Sequence, residues 1–154
     1  MSTLTLDTYL PYRLSVASNK VSGLIAKAYE TRFSLTIPQW RVLVILSDGT
    51  ALSQKGLIEA TAMDKVTISR AVGVMVARGL LLKESGEPDR RVHVLTLSQA
   101  GRDIVAEVAP LALEFETSLV CAIGQDRVAD LDDMLRKLEA QAELLTNSAS
   151  REAP

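Results

Sequence analysis

Several things are scarce in this sequence, and each scarcity closes off a class of protein. Aromatic residues make up 4% of the 154 positions, so aliphatic side chains must fill any core. Cysteine occurs once, at Cys121, and cannot form an intramolecular disulfide. Histidine also occurs once, at His93 between Val92 and Val94, with no cysteine or second histidine near it to share a metal. No Ser–His–acid set and no glycine-rich phosphate loop is apparent, so no metal, no cofactor and no enzymatic activity is expected. No window of about 18 apolar residues exists, and the first seven residues have neither a basic nor an apolar region. The expectation is a cytoplasmic protein with no membrane partner.

An excess of positive charge is missing too, since 17 Lys and Arg face 19 Asp and Glu. The distribution is uneven, however. Residues 1–49 carry five basic and three acidic residues, residues 50–97 seven and five, and residues 98–154 five and eleven. Acid gathers at the C-terminal end, leaving the first two thirds slightly positive, as expected of a protein with one face toward phosphate.

What is present centres on residues 53–97. Asp64 is a good N-cap, and a helix follows it with Ile68, Val72, Met75 and Val76 on one side at i, i+4, i+7, i+8 spacing. Val66, Arg70, Gly73 and Ala77 fall on the other side, with Thr67 at its flank. That face combines one guanidinium with little bulk, which suits a DNA major groove: Arg can fork onto guanine, and an apolar branch can touch a thymine methyl. Arg78-Gly79 ends the helix with a cation and a C′ glycine. Two strands are predicted next, Leu80 to Lys83 and Val92 to Leu97. The tip between them turns at Gly86 and Pro88 and carries Arg90 and Arg91, which can reach a minor groove. Upstream, Ser53 caps a helix over Gln54–Ala60, and residues 60–63 make the turn. Helix, turn, helix and hairpin together predict a winged helix-turn-helix.

These residues resemble the MarR-type bacterial transcriptional regulators. The resemblance is carried by Leu52-Ser53-Gln54, Thr67-Ile68-Ser69-Arg70, Arg78-Gly79-Leu80, the wing signature Asp89-Arg90-Arg91, and Leu95-Thr96-Leu97-Ser98-Gln99-Ala100-Gly101. It extends over nearly the whole chain, because the flanking helices match in length and order. It implies that Asp89 holds Arg91 by a salt bridge and that Arg91 enters the minor groove. It also implies a homodimer whose end helices intertwine, and a pocket between those helices and the winged domain for a small phenolic or carboxylate effector.

Outside the centre, Asp7 to Arg32 reads as one long helix with Pro11 in its first turn. Thr36-Ile37-Pro38-Gln39 has capping-box form, and Trp40, Leu43, Val44 and Leu46 give that helix a buried face. Ser98 opens a helix to about Cys121 that Pro110 should kink or divide. Cys121 reads as a buried small hydrophobe. In a last helix, Gln125 to Thr146, the rows Val128/Leu135/Ala142 and Leu131/Leu138/Leu145 form a heptad seam that wants a partner: the first helix, a second copy, or both.

The fold class expected is therefore mainly α with a small β-wing: a winged helix-turn-helix over residues 36–97, helical dimerisation regions over 1–35 and 98–146, and a frayed tail over 147–154. The expected partners are double-stranded DNA, a second copy, and a small-molecule effector. Val66, Thr67 and Arg70 are candidates for base edges, Ser53, Lys65 and Arg90 for phosphates, and Arg91 with Asp89 for the minor groove. Tyr12, Arg13, Tyr29, Arg32, Trp40 and Arg41 could meet an anionic aromatic effector, although each can equally serve as core or interface packing. Leu10, Leu14, Val128, Leu131, Leu135, Leu138 and Leu145 are candidates for the dimer interface. A winged helix used for protein contacts, or as a ligand-independent architectural DNA binder, is the competing reading; the wing arginines and the bare reading face speak against pure protein contact.

Overall fold

The computed structural model of the chain describes residues 5–85 and 93–152, with side chains of the last helix as far as residue 148. It forms two compact units, Met1–Leu113 and Glu114–Pro154.

The first unit begins with α1 (Leu10–Ala26), which has its proline in the first turn as expected. The single helix predicted to reach Arg32 is in fact broken. Tyr29 leaves helical geometry at φ −132°, ψ −19°, and one further turn, α2 (Glu30–Phe33), follows. Tyr29 accounts for the break: it is only 1% exposed and stacks on Trp40, with ring centroids 5.1 Å apart and planes 23° from parallel. Burying two aromatic rings against each other outweighs three helical residues. The apolar spacing continues through the break, so periodicity could not reveal it.

The capping box at α3 (Ile37–Ile45) is present. Gln39 N–H donates to Thr36 Oγ1 at 3.5 Å, and Thr36 N–H donates to Gln39 Oε1 at 3.0 Å. Trp40, Leu43 and Leu46 are buried as expected, but Val42 rather than Val44 takes the inward position, and Val44 is exposed. Leu46–Asp48 forms a 3-10 turn closed by Gly49 at φ +89°.

A short strand that the pattern did not predict, β1 (Leu52–Ser53), leads into α4 (Gln54–Thr61) and α5 (Lys65–Ala77). Two residues are too few to carry a strand signature. The hairpin strands are β2 (Leu81–Ser85) and β3 (His93–Leu97). They complete an antiparallel sheet of order β1-β3-β2, with Leu52 opposite Leu95 and Leu81 opposite Leu97. Ile68, Val72 and Met75 of α5 join Val42, Leu43, Leu57, Leu81, Leu95 and Leu97 in one core. Aliphatic residues make up most of it, joined by Tyr29 and Trp40.

Ser98 joins the hairpin to α6 (Gln99–Ile123). Its Oγ donates to the Gly79 carbonyl at 2.6 Å and accepts from Gly101 N–H at 3.1 Å. Of the two outcomes expected at Pro110, division does not occur: the helix runs unbroken from Gln99 to Ile123. Pro110 and Ala106, whose carbonyl loses its partner, are both exposed, so water can satisfy the freed oxygen. Val108 is fully buried and anchors the helix beside the break in bonding.

The second unit holds the end of α6, Gly124 at φ +91°, a 3-10 turn at Gln125–Arg127, and α7 (Val128–Glu152). The tail expected to fray from residue 147 is instead helical through Glu152. Thr146 and Ser148 hydroxyls donate to the carbonyls of Ala142 and Leu144, both at 2.9 Å, so these polar residues stay within the helix. Cys121, expected to be buried, is exposed. Both seam rows lie along α7, and Leu131, Leu135, Leu138 and Leu145 are exposed. Among the described residues no helix is long and apolar enough to cross a membrane.

Candidate nucleic-acid interface

Helix α5 is held in place by bonds that leave its outer face free. At its start, Asp64 Oδ1 accepts from Thr67 N–H at 2.9 Å, and Thr67 Oγ1 donates to Asp64 Oδ2 at 2.6 Å. The Thr67 side-chain bond, then its backbone bond, holds the Asp64 carboxyl below the usual carboxylate range. Thr67 is thus half-buried at the cap with its proton committed, and toward a base edge its oxygen can only accept.

At the other end, the Arg78 guanidinium donates to the carbonyls of Ser34 at 3.0 Å and Phe33 at 2.5 Å. These bonds span more than forty residues of sequence and tie the close of α5 to the close of α2. The sequence marked Arg78 only as a helix-end cation. Its partners could not be read there, because backbone carbonyls have no signature.

Between these ties Ile68, Ala71, Val72 and Met75 face the core, while Lys65, Val66, Ser69, Arg70, Gly73 and Ala77 are exposed. Val66 is 57% exposed, and a β-carbon added at Gly73 would meet nothing within 4 Å. The structure therefore brings Lys65, Val66 and Arg70 to one open face of one helix. Ser53 sits at the start of α4, and its Oγ accepts from Gly56 N–H at 3.1 Å; the hydroxyl proton remains to be donated. Asp89, Arg90 and Arg91 lie outside the described residues.

A groove of about 440 Å³ lies between the start of α4 and the outer end of the hairpin. Ser53, Gln54, Lys55, Lys83, His93 and Leu95 line it. Of these, only Ser53 is a site candidate from the sequence. Lys55, Lys83 and His93 are isolated in the chain, and only the strand register brings them together.

The six residues considered for an effector divide into four groups. Trp40 and Arg41 line a cleft of about 240 Å³ with Val44, Ile45, Ala60 and Thr61, between α3 and the end of α4. Tyr29 is not surface-lining: it lies in the core under Trp40. Burial pushes its phenol up to about 12; the Arg41 charge opposes this and the Glu30 charge adds to it. Tyr12 and Arg13 are exposed on α1 away from the cleft lining. Arg32 pairs with Glu107 of α6 and lies over the Phe33 ring at 5.4 Å. Arg41 also donates to Ser22 Oγ at 3.2 Å, linking α3 to α1.

Known proteins match this arrangement. A sequence profile of the MarR family matches residues 33–92. The HTH-type transcriptional repressor NicR of Pseudomonas putida is 31% identical over 132 residues, covering 79% of this chain and 83% of NicR. Two solved structures share the fold at 25% identity. The Bordetella bronchiseptica BpsR structure, described as the mechanism for regulation of DNA binding by 6-hydroxynicotinic acid, superposes with a TM-score of 0.79 over 90% of this chain and 98% of its own. The transcriptional repressor CouR bound to a 23-mer DNA duplex superposes with a TM-score of 0.75 over 90% and 99%. The core, the capped helix α5 and the hairpin agree with this kinship, and these relatives regulate transcription rather than catalyse reactions. The chain belongs to the MarR family of winged helix-turn-helix transcriptional regulators.

Proposed function

We propose that this regulator is a repressor that binds a palindromic operator as a homodimer in the cytoplasm and is released by a small hydroxylated aromatic carboxylate. The exposed α5 face carries the reading. Arg70 stands there between Val66 and the bare Gly73, so the helix can press close enough for the guanidinium to reach base edges. Val66 would touch a thymine methyl and Thr67 would accept at the flank. Lys65 and Ser53 would hold phosphates, and Arg91, with Asp89 and Arg90, would engage the wing side of the duplex.

One such helix reads too few base pairs for useful specificity. Two copies related by a two-fold axis would place their reading helices roughly 34 Å apart, one helical turn of DNA. The exposed leucines of α7 with the half-buried Val128 in one unit, and Leu10 and Leu14 of α1 in the other, would each supply apolar surface for that pairing.

Release follows from where the Trp40–Arg41 cleft lies. Its far wall, Ala60 and Thr61, ends the helix that leads by the Ala62 turn into α5. A flat ring can lie on Trp40 and a carboxylate can meet Arg41. Such a ligand displaces DNA only if it binds one setting of the reading heads better than the other. NicR being a repressor, and BpsR being governed by 6-hydroxynicotinic acid, support this choice of output and ligand class.

Footprinting on the DNA upstream of the gene, with and without 6-hydroxynicotinic acid and simple phenolic acids, tests the proposal. A protected palindrome that opens with one of these acids is expected. Protection without sequence preference would instead favour an architectural binder.

A further inference from the structure

We infer that the groove between α4 and the hairpin is an oxyanion pocket that takes one backbone phosphate of the bound duplex, with His93 as its proton-dependent third cation. The inference rests on the DNA-binding reading above and adds residues which that reading does not use.

Cross-strand partners share a face of a sheet, and alternate residues of one strand do as well. Lys83 lies opposite Leu95 and Ser85 opposite His93, so His93, Lys83, Leu95, Leu97 and Leu81 share one face. The three leucines are buried in the core. Lys83 and His93 continue that same face outward, past the edge of the core, at positions where alternation calls for apolar side chains. Both bases, though exposed, therefore line the groove rather than the opposite face of the hairpin.

Ser53, Gln54 and Lys55, at the start of α4, form the opposite wall. The Ser53 hydroxyl has a proton to give, since its oxygen only accepts from Gly56. Among the described residues no carboxylate lines the groove. Glu59 is 3.8 Å from the Lys55 ammonium one turn along α4, and Glu84 is opposite Val94 on the other face of the hairpin. Asp48, in the turn packed near β3, is engaged by Thr50 N–H at 2.8 Å. No charged side chain of α5 reaches the lining. Two ammonium groups, an imidazole, a hydroxyl and an amide thus converge with nothing anionic among them.

A phosphodiester matches that set in charge and in acceptors. The groove lies on the wing side of α4, next to the helix-turn-helix that would carry the duplex, which favours a backbone phosphate over a free one. The phosphate is held by two fixed charges, and by a third when the imidazole carries a proton.

Because His93 is the only histidine, its ring resonances report on the groove without ambiguity. The test measures duplex affinity against salt for the full chain, His93→Gln and Lys83→Gln, at about pH 5.5 and about pH 8. His93 ring resonances are followed in parallel with duplex and with inorganic phosphate. Lys83→Gln is expected to lower the slope of log K against log salt by about 0.9 at both pH values, for every duplex sequence. His93→Gln is expected to do so only at the lower pH, and to abolish several-fold tightening that the parent gains there. Duplex should shift the His93 resonances toward the protonated form. Variants that keep the parent's salt slope and pH response overturn the pocket while leaving DNA binding intact. Resonances that move with inorganic phosphate but not with duplex overturn the backbone assignment in favour of a free anion. A parent with no affinity for duplex overturns both readings.

Discussion

Adding one methyl group at Gly101 sets two physical effects of opposite sign against each other. Glycine inside a helix costs roughly 0.5–1 kcal/mol relative to alanine, so Gly101→Ala should help α6. Gly101 is buried, however, and a β-carbon there would collide with the Leu80 carbonyl oxygen, with the Leu80 carbonyl carbon and Leu97 Cδ2 each 3.4 Å away. That oxygen cannot easily retreat. It accepts from Ser98 N–H at 3.1 Å, while Leu80 N–H donates to the Met75 carbonyl at 2.9 Å. Overpacking typically costs about 1–3 kcal/mol, and a pinned backbone obstacle belongs at the upper end. The net expectation is a loss of roughly 1–2 kcal/mol. For a chain of this length that lowers Tm by about 3–8 °C, read by circular dichroism melting. Gly23→Ala is the control, because a β-carbon there meets nothing within 4 Å; its Tm should rise by about 1–4 °C. A Gly101→Ala chain as stable as the parent would refute the packing argument at this junction.

The other expectations concern the site. Gly73→Leu adds bulk to the open face of α5, so it should leave Tm unchanged or higher yet abolish duplex binding in an anisotropy titration; unchanged affinity would remove α5 from the groove. Arg70→Ala should cost about 1–3 kcal/mol on the preferred site and flatten discrimination among base substitutions, as measured by competition binding. Leu135→Glu with Leu138→Glu should yield protomers by light scattering, and a dimer that survives would place the interface elsewhere. Tyr29 keeps its proton in the folded chain up to about pH 12 but loses it near pH 10 when unfolded. Its contribution to stability is therefore complete below pH 10 and declines as pH rises toward 12. Denaturant midpoints between those values should fall more steeply for the parent than for Tyr29→Phe; parallel curves would contradict the burial argument.

The sequence by itself determined the elements whose signals are local. Asp64, Ser53 and Thr36 announce helix starts because a cap acts within three residues of itself. The apolar side of α5 was legible because helical spacing maps directly onto a face, and the same spacing left Val66, Arg70 and Gly73 outside. The family resemblance was legible for the same reason, since its motifs are short and contiguous. Tertiary structure decided whatever depended on residues far apart. The first helix breaks at Tyr29 because Trp40, eleven residues on, offers a ring to stack against. Arg78 positions α5 by seizing two carbonyls more than forty residues away. Lys55, Lys83 and His93 meet only because β1, β2 and β3 pair in one register. Caps and spacing are written in neighbouring residues, whereas a groove or a stacked pair exists only after the chain has closed on itself.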